Sequence, residues 1–514
     1  MSDLDDRASG RDIVARRFME PIGLAAMAVF GLALTVYLLT LLPGPSVGDW
    51  GEMQWLPARL GIPHPTGYPL YVLLGKAFSL IPIGSLAFRA ELFSAAAAAA
   101  AAGTAVLIMG RLRVRPVVAF AVGLALAATG ELWLEATFPE MNGLHLLLMA
   151  ALLHRAVVWR AERRDRDLLI GAALCGLSLA NHALAATVIP FVIVFVLVDA
   201  RDRLRERPGL LVRAGALFLV GLTPYLFIPI RALFGPPELY SRFLTWDGFS
   251  SLISGADLRS QMHFTLADGA ARAVADVPSV VAQLQARSNL LFVAGGLLGG
   301  AIHVVRDRAL GSLLIVLVAV NLYVFANYVG DLDHYLLITW LIVAIWLAIA
   351  LEAAVAWLER HPGRSLASVG AAATLVLPLA LVVGNWSAYD QSGNHDGERF
   401  ADAVFANLPA NAVLLTYWDA LTTLGYEHCV DGRRPDVAFR ALDPGARVTC
   451  DDLPDRLEDV ARDRPVFALF AVDSELDAVR GSFRLVPGPQ LAVPYGKRGL
   501  DHSGTLYRLV PRNG

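Results

Sequence analysis

The sequence predicts an α-helical polytopic membrane protein with a small C-terminal α/β domain. Of its 514 residues, 56% are hydrophobic and 17% charged, and the mean hydropathy is +0.54. A soluble chain carries nearer a quarter charged residues. The apolar residues gather in runs free of Asp, Glu, Lys and Arg, at 21–48, 92–110, 168–198, 214–230, 288–305, 309–330 and 365–389. Runs of this kind are long enough to cross a bilayer. From about residue 391 the pattern changes to alternating helix-like and strand-like segments. The formal net charge of −3 points to no partner class, and no nucleic-acid partner is expected.

About eleven spans are expected, near 21–42, 92–110, 116–130, 141–154, 168–181, 183–198, 214–230, 288–305, 309–327, 335–351 and 366–385. The first has no small-residue cleavage site leading into a polar mature domain, so it reads as a signal anchor. Alternate connections differ sharply in basic residues. One set holds Arg7 to Arg17, Arg111 to Arg115, Arg155 to Arg166, Arg201 to Arg213, Arg306 and Arg308, and Arg360 and Arg364; the opposite stretches 131–140 and 328–334 contain no Lys or Arg. The positive-inside rule then makes residues 1–20 cytoplasmic. An odd span count places 386–514 outside, with two large external insertions at 43–91 and 231–287 inside the 21–385 membrane domain. The scheme needs a tight external turn at Ala180-Asn181-His182.

Within the first insertion, "YPLYVLLGKAFSLIPIG" is apolar but short and carries Lys76, as interfacial helices do. The Ala run at 95–102 is strongly helical and opens the second span. In the tail, "ERFADAVFANL", "DALTTLGYEHC" and "LPDRLEDVARD" read as helices, and "NAVLLTY", "PDVAFRAL" and "PVFALFAVD" as strands. That rhythm suggests an α/β domain. It has no Gly-rich phosphate loop, so a recognition or positioning role is expected. Cys429 and Cys450 both fall in this part, where a disulfide and two free thiols are equally consistent; Cys175 lies in an apolar run as a packing residue.

The chemistry concentrates in "GDWGEMQWLPARLGIPHPTGYP" at 48–69. If a helix starts there, Asp49 and Glu52 share a face at i, i+3. Spacing alone allows a helix cap as readily as a general base, Asp49 accepting a proton from an incoming hydroxyl. Glu52 would then position the acceptor or hold a cation. Pro65, Gly67 and Pro69 make a rigid turn that sets the directions of His64 and Tyr68. Other polar groups fall at the outer ends of spans: Glu140, Asn142 and His145, Asn181 and His182, Arg231, and Asn327, Tyr328, Asp331, Asp333 and His334. Each alone is more readily a structural hydrogen bond or a snorkelling side chain. Their common side describes a polar cavity opening outward. Arg231 is the candidate phosphate contact, since guanidinium matches phosphate geometry.

Asp49-x-x-Glu52, "LGIPHPTGYPLYVLLGK", "FRAELFSA", "GLSLANHALA", "GLTPYLFIPIRA", "TWDGF", "NYVGDLDHYLL" and "LLTYWDALTTLGYEHCVDGRRPDV" together resemble a bacterial family of polytopic membrane proteins. That family is related to a eukaryotic secretory-pathway protein O-mannosyltransferase, within the GT-C glycosyltransferase superfamily. The resemblance implies a GT-C-like fold in the plasma membrane and a polyprenyl-phosphate sugar donor. It further implies a protein or cell-envelope glycan acceptor, inversion at the sugar, and Asp49 as the catalytic acid with Glu52 its neighbour in the motif. Trp50 stands where a small residue is expected, and Thr66 where a second Pro is common. Mannose is the candidate sugar, and a divalent cation, Mg or Mn, on Asp49 and Glu52 the candidate cofactor. A transporter or flippase of lipid-linked precursors and a non-catalytic envelope assembly protein are the competing readings. The first expects charges deep in several spans; the second expects Asp49→Asn to leave function intact.

Overall fold

A computed structural model describes residues 2–234, 238–239, 245–256, 290–326, 333–361, 364–441, 447–448, 450, 453, 457–469, 479–491 and 504–512, with side chains from residue 19 onwards in the first helix. The chain is a multi-span helical membrane protein with a small sheet domain at its C-terminal end. Seven helices of the described residues are long and apolar enough to cross a bilayer, and a bent pair makes up to eight. Helices α1 (Ser2–Leu39), α2 (Gly48–Arg59), α3 (Pro69–Ser79), α4 (Leu86–Arg111), α5 (Pro116–Ala127), α6 (Gly130–Thr137), α7 (Met141–Glu162) and α8 (Asp165–Asn181) build the half that carries the motif. The expected third span at 116–130 corresponds to α5, whereas α6 lies in the 131–140 stretch expected as a connection; the two form a pair bent by 62° at the Ala128–Thr129 break. Two more expected spans are shorter apolar helices, Ile189–Asp199 and Phe292–Arg306. The helical signal breaks at Asn181, where His182 takes an extended conformation and its Nδ1 accepts from the Leu184 N–H at 3.1 Å.

α4 lies at the centre of this half. Its buried alanines, Ala95, Ala98, Ala99, Ala101 and Ala102, let α1 and α7 approach closely, as small residues do between membrane helices. The two ends of the bundle differ in chemistry. At one end Arg111 pairs with Glu162, Arg115 with Glu352 (3.0 Å), Arg155 with Asp167 (2.9 Å), Arg160 with Asp307 (2.8 Å), and Arg203 and Arg207 with Asp165 (2.9 and 2.8 Å). These are the arginine-rich connections read from the sequence. The opposite ends of α4, α7 and α8 carry Glu91, Glu140 and Asn181.

The C-terminal domain sits at that second end. Its five-stranded sheet runs in the order Ala438–Ala441, Val413–Thr416, Val466–Leu469, Gly504–Pro511, Phe483–Leu491. The first three strands are parallel and the last two antiparallel. Both faces of the central strands are covered: Leu414, Phe439 and Leu469 face one core, and Val413, Leu415 and Val466 the other. Parallel strands need such double cover. The first core continues into the membrane half, since Val47, Trp55 and Ala87 pack with Phe400, Leu421 and Leu424. Hydrogen bonds cross the same seam, from Thr423 Oγ1 to the Ser46 carbonyl (2.5 Å) and from the Ala87 N–H to the Tyr426 hydroxyl (3.1 Å). Cys429 and Cys450 form a disulfide, which closes the alternative left open by the sequence.

Candidate active site

α2 presents the motif. Its N-cap is Val47, in an extended conformation and with no side-chain cap bond, so Asp49 sits in the first turn and is not the cap. Gln54 fixes the helix: it accepts from the Ser46 N–H (2.7 Å) and donates to the Gly44 carbonyl (3.0 Å) and Glu91 (2.9 Å). Trp50 stacks on Phe138 with ring centroids 3.8 Å apart and borders a cavity of about 430 Å³ between residues 42–50 and 388–397.

Glu52 is fully buried, and His64 binds both its oxygens. The His64 backbone N–H donates to Oε1 at 3.1 Å, and the ring Nδ1 lies 2.5 Å from Oε2. The same Nδ1 lies 3.7 Å from Asp49 Oδ1, and the Asp49 side chain is 38% exposed. A buried carboxylate needs such a partner. Burial pushes the Glu52 carboxyl up, against the pull of His64. For His64, burial opposes the charged ring, but Asp49, Glu52 and Glu140 outweigh it and push the imidazole up to about 9. The protonated form of His64 is thus favoured by the acidic groups on either side of it, Asp49 and Glu52.

The proline-rich turn holds this arrangement. The Gly67 N–H donates to the His64 carbonyl (2.9 Å), and the Tyr68 hydroxyl to the Pro65 carbonyl (2.8 Å). Gly67 has φ +84°, and a Cβ there would meet Ile228 Cδ1 at 2.9 Å. Glycine alone satisfies both demands. The helix Trp246–Ser254 of the second insertion covers the turn through Leu252, which packs with Ile62 and Ile228. Tyr68 meets His64 edge-on at 5.0 Å between centroids and His182 at 5.3 Å; His182 in turn lies 5.3 Å from His145.

The structure thus gathers Asp49, Glu52, His64, Tyr68, His145 and His182. Glu140 stands nearby: Ser94 bonds its backbone, and Asn142 Nδ2 bridges Glu140 Oε2 (3.4 Å) and Glu135 Oε2 (3.0 Å). Two further expected residues bond backbone carbonyls. Asn181 donates to the Met141 carbonyl (3.2 Å). Arg231 donates to the Leu60 (2.7 Å) and Arg59 (3.2 Å) carbonyls, holding the C-terminal end of α2. Asn327, Tyr328 and Asp331 lie outside the described residues, as do the side chains of Asp333 and His334. One contact escaped the sequence: Trp418 Nε1, 369 residues away and in the C-terminal domain, donates to Asp49 Oδ1 at 3.1 Å. Among the described residues, Asp49, Glu52 and His64 form a group whose ligand atoms all lie within 4.8 Å of one another, close enough for one metal ion.

Residues 49–205 match the family described as Protein O-mannosyl-transferase TMEM260 N-terminal domain. The chain is 26% identical over 455 residues to the mouse Protein O-mannosyl-transferase TMEM260, covering 80% of this chain and 62% of the relative. It is 23% identical over 468 residues to the Dictyostelium discoideum relative of the same name, covering 79% and 56%. The chain thus spans about three fifths of the length of these relatives. Crystal structures of ArnT from Cupriavidus metallidurans, bound to undecaprenyl phosphate and in the apo state, superpose with TM-scores of 0.59 and 0.57 at 13% and 14% identity, covering 94% of this chain and 97% of each. By its sequence the chain resembles the TMEM260 protein O-mannosyl-transferases, and its fold is that of the ArnT structures.

Proposed function

We propose that the protein is a membrane glycosyltransferase. In this reading it moves a sugar, with mannose the first candidate, from a polyprenyl-phosphate carrier to a hydroxyl of a protein or cell-envelope glycan, and inverts the anomeric carbon. The observation that carries the reading is the Asp49–His64–Glu52 cluster at one end of an apolar bundle, inside the segment matched by the O-mannosyl-transferase domain. The names of the relatives support the reaction class, and the undecaprenyl phosphate bound by ArnT supports the donor class.

In the proposed step the acceptor oxygen attacks the anomeric carbon on the face opposite the phosphate. Its proton passes to the Asp49 carboxylate, the carbon–phosphate-oxygen bond breaks, and the polyprenyl phosphate leaves with the bonding pair. Glu52, buried and bonded twice to His64, orients the imidazolium and does not touch the acceptor. His64 places a fixed positive charge beside the reacting carboxylate, where the surroundings are too dry to screen it fully. A divalent cation in the site would take Asp49, Glu52 and His64 as ligands. It would compete with the His64 proton, so its affinity would rise with pH.

We infer that the N-terminus is cytoplasmic and that the site faces the outside of the plasma membrane. The arginine-rich end and the Cys429–Cys450 disulfide support this orientation, since disulfides persist in oxidising compartments.

The test is transfer of labelled mannose from a polyprenyl phosphate to a Ser/Thr-rich peptide by purified protein. Asp49→Asn should keep donor binding and lose transfer by about 10²- to 10⁴-fold, the range of a general base. Full activity in that variant removes the assignment.

A further inference from the structure

The C-terminal domain touches the proposed base. Its strand Val413–Thr416 leads through Tyr417 into the helix Trp418–Cys429, whose first residue aims its indole N–H at Asp49 Oδ1 across 3.1 Å. The approach is built on both sides. A Cβ at Gly51 would meet the Ser46 carbonyl oxygen at 2.5 Å and Thr422 Oγ1 at 2.6 Å, so the two helices run together only because residue 51 has no side chain. The far end of the same helix is tied to its own domain by the Cys429–Cys450 disulfide. His64 approaches the same Asp49 oxygen from the turn.

We propose that Trp418 is a positioning residue for the transfer reaction, and that the C-terminal domain is a working part of the active site. This rests on the reading of Asp49 as the base. A carboxylate 38% exposed on the first turn of a helix has rotamers that point away from a bound acceptor. An N–H donor on one oxygen selects the rotamer that leaves the carboxylate turned to the acceptor, and a bond from indole to a charged group is stronger than a neutral one. Trp418 acts here through Asp49.

The experiment compares transfer rates of the full chain, normalised to sites that bind a polyprenyl-phosphate-linked mannose, so that loss of folded protein cancels. Trp418→Phe keeps the bulk and removes the N–H; its rate should fall at least about tenfold with donor affinity unchanged. Trp418→His restores a ring N–H and should recover part of the loss; it also decides the matter if the Phe variant does not fold. Thr423→Val, which breaks a neighbouring bond across the same seam without touching Asp49, should lower the melting temperature more than the normalised rate. An unchanged normalised rate in Trp418→Phe, or equal losses in the Phe and His variants, overturns the inference. Asp49→Asn in the same assay separates the two claims. If it is inactive while Trp418→Phe is unaffected, only Trp418 is misassigned; if it is fully active, the base assignment fails first.

Discussion

His64 sets the charge balance of the site. Its imidazole is raised from an ordinary 6.5 to about 9 by the two carboxylates it touches, and its side chain is only 14% exposed. A group whose folded pKa is raised adds stability that is fully present below the unfolded value and is lost as pH rises through the folded one. The window here runs from about 6.5 to about 9. Melting curves should therefore show wild-type protein losing stability relative to His64→Gln between those values. A constant difference across the range would mean that His64 is neutral in the folded state. Spacing along the chain revealed Asp49 and Glu52 as neighbours. It did not reveal that Glu52 turns inward to His64, because a helical i, i+3 relation fixes a face and not a partner. Trp418 was beyond reach for a plainer reason: its contact with Asp49 closes 369 residues of chain, and no local pattern encodes such a closure.

At the scale of elements, α2 is the piece on which both halves converge, and Gly51 is its tightest point. A methyl group at this position meets backbone and a hydroxyl at 2.5 and 2.6 Å, and neither is the far end of a flexible side chain. Gly51→Ala should therefore destabilise the seam by about 1–3 kcal/mol, as overpacking of a well-filled contact does. It should be read as an earlier thermal transition in detergent; a transition unmoved from wild type would show that α2 and the Trp418–Cys429 helix are looser than described. The helices were legible because apolar runs and Arg clusters mark them. The helix-and-strand rhythm likewise revealed the three parallel strands. The two antiparallel strands were not read, and one shows why. Phe483–Leu491 reads "FRLVPGPQL", with a Pro-Gly-Pro break inside it and a register shift between Pro487 and Gln490. Proline and glycine signal turns in a sequence, yet an edge strand tolerates both at a bulge. The bend between α5 and α6 was hidden for a related reason: no proline marks it.

For the whole molecule, the mechanism depends on which way the bundle faces. The arginine-rich end is held by ion pairs that link separate connections, such as Arg160 with Asp307 and Arg115 with Glu352. The other end carries the carboxylates, the histidines and the disulfide-bearing domain. In the proposed reaction a lipid-linked donor presents its sugar on one side of the membrane only, so the site and the acceptor must share that side. Two exposed positions report on the two ends: Ser392, just past the last long helix, and Glu206, in the Arg201–Glu206 helix. Cysteines placed there one at a time, in a Cys175→Ser background, should differ in their reaction with a membrane-impermeant maleimide on intact cells. Ser392→Cys should label at once, whereas Glu206→Cys should label only after the membrane is opened. The Cys429–Cys450 pair, being oxidised, stays silent unless a reductant is added. Labelling in the reverse order would put Asp49 on the cytoplasmic side. It would also leave the disulfide in a reducing compartment, where it would not last, and the outward-facing transfer reaction would fall with the orientation.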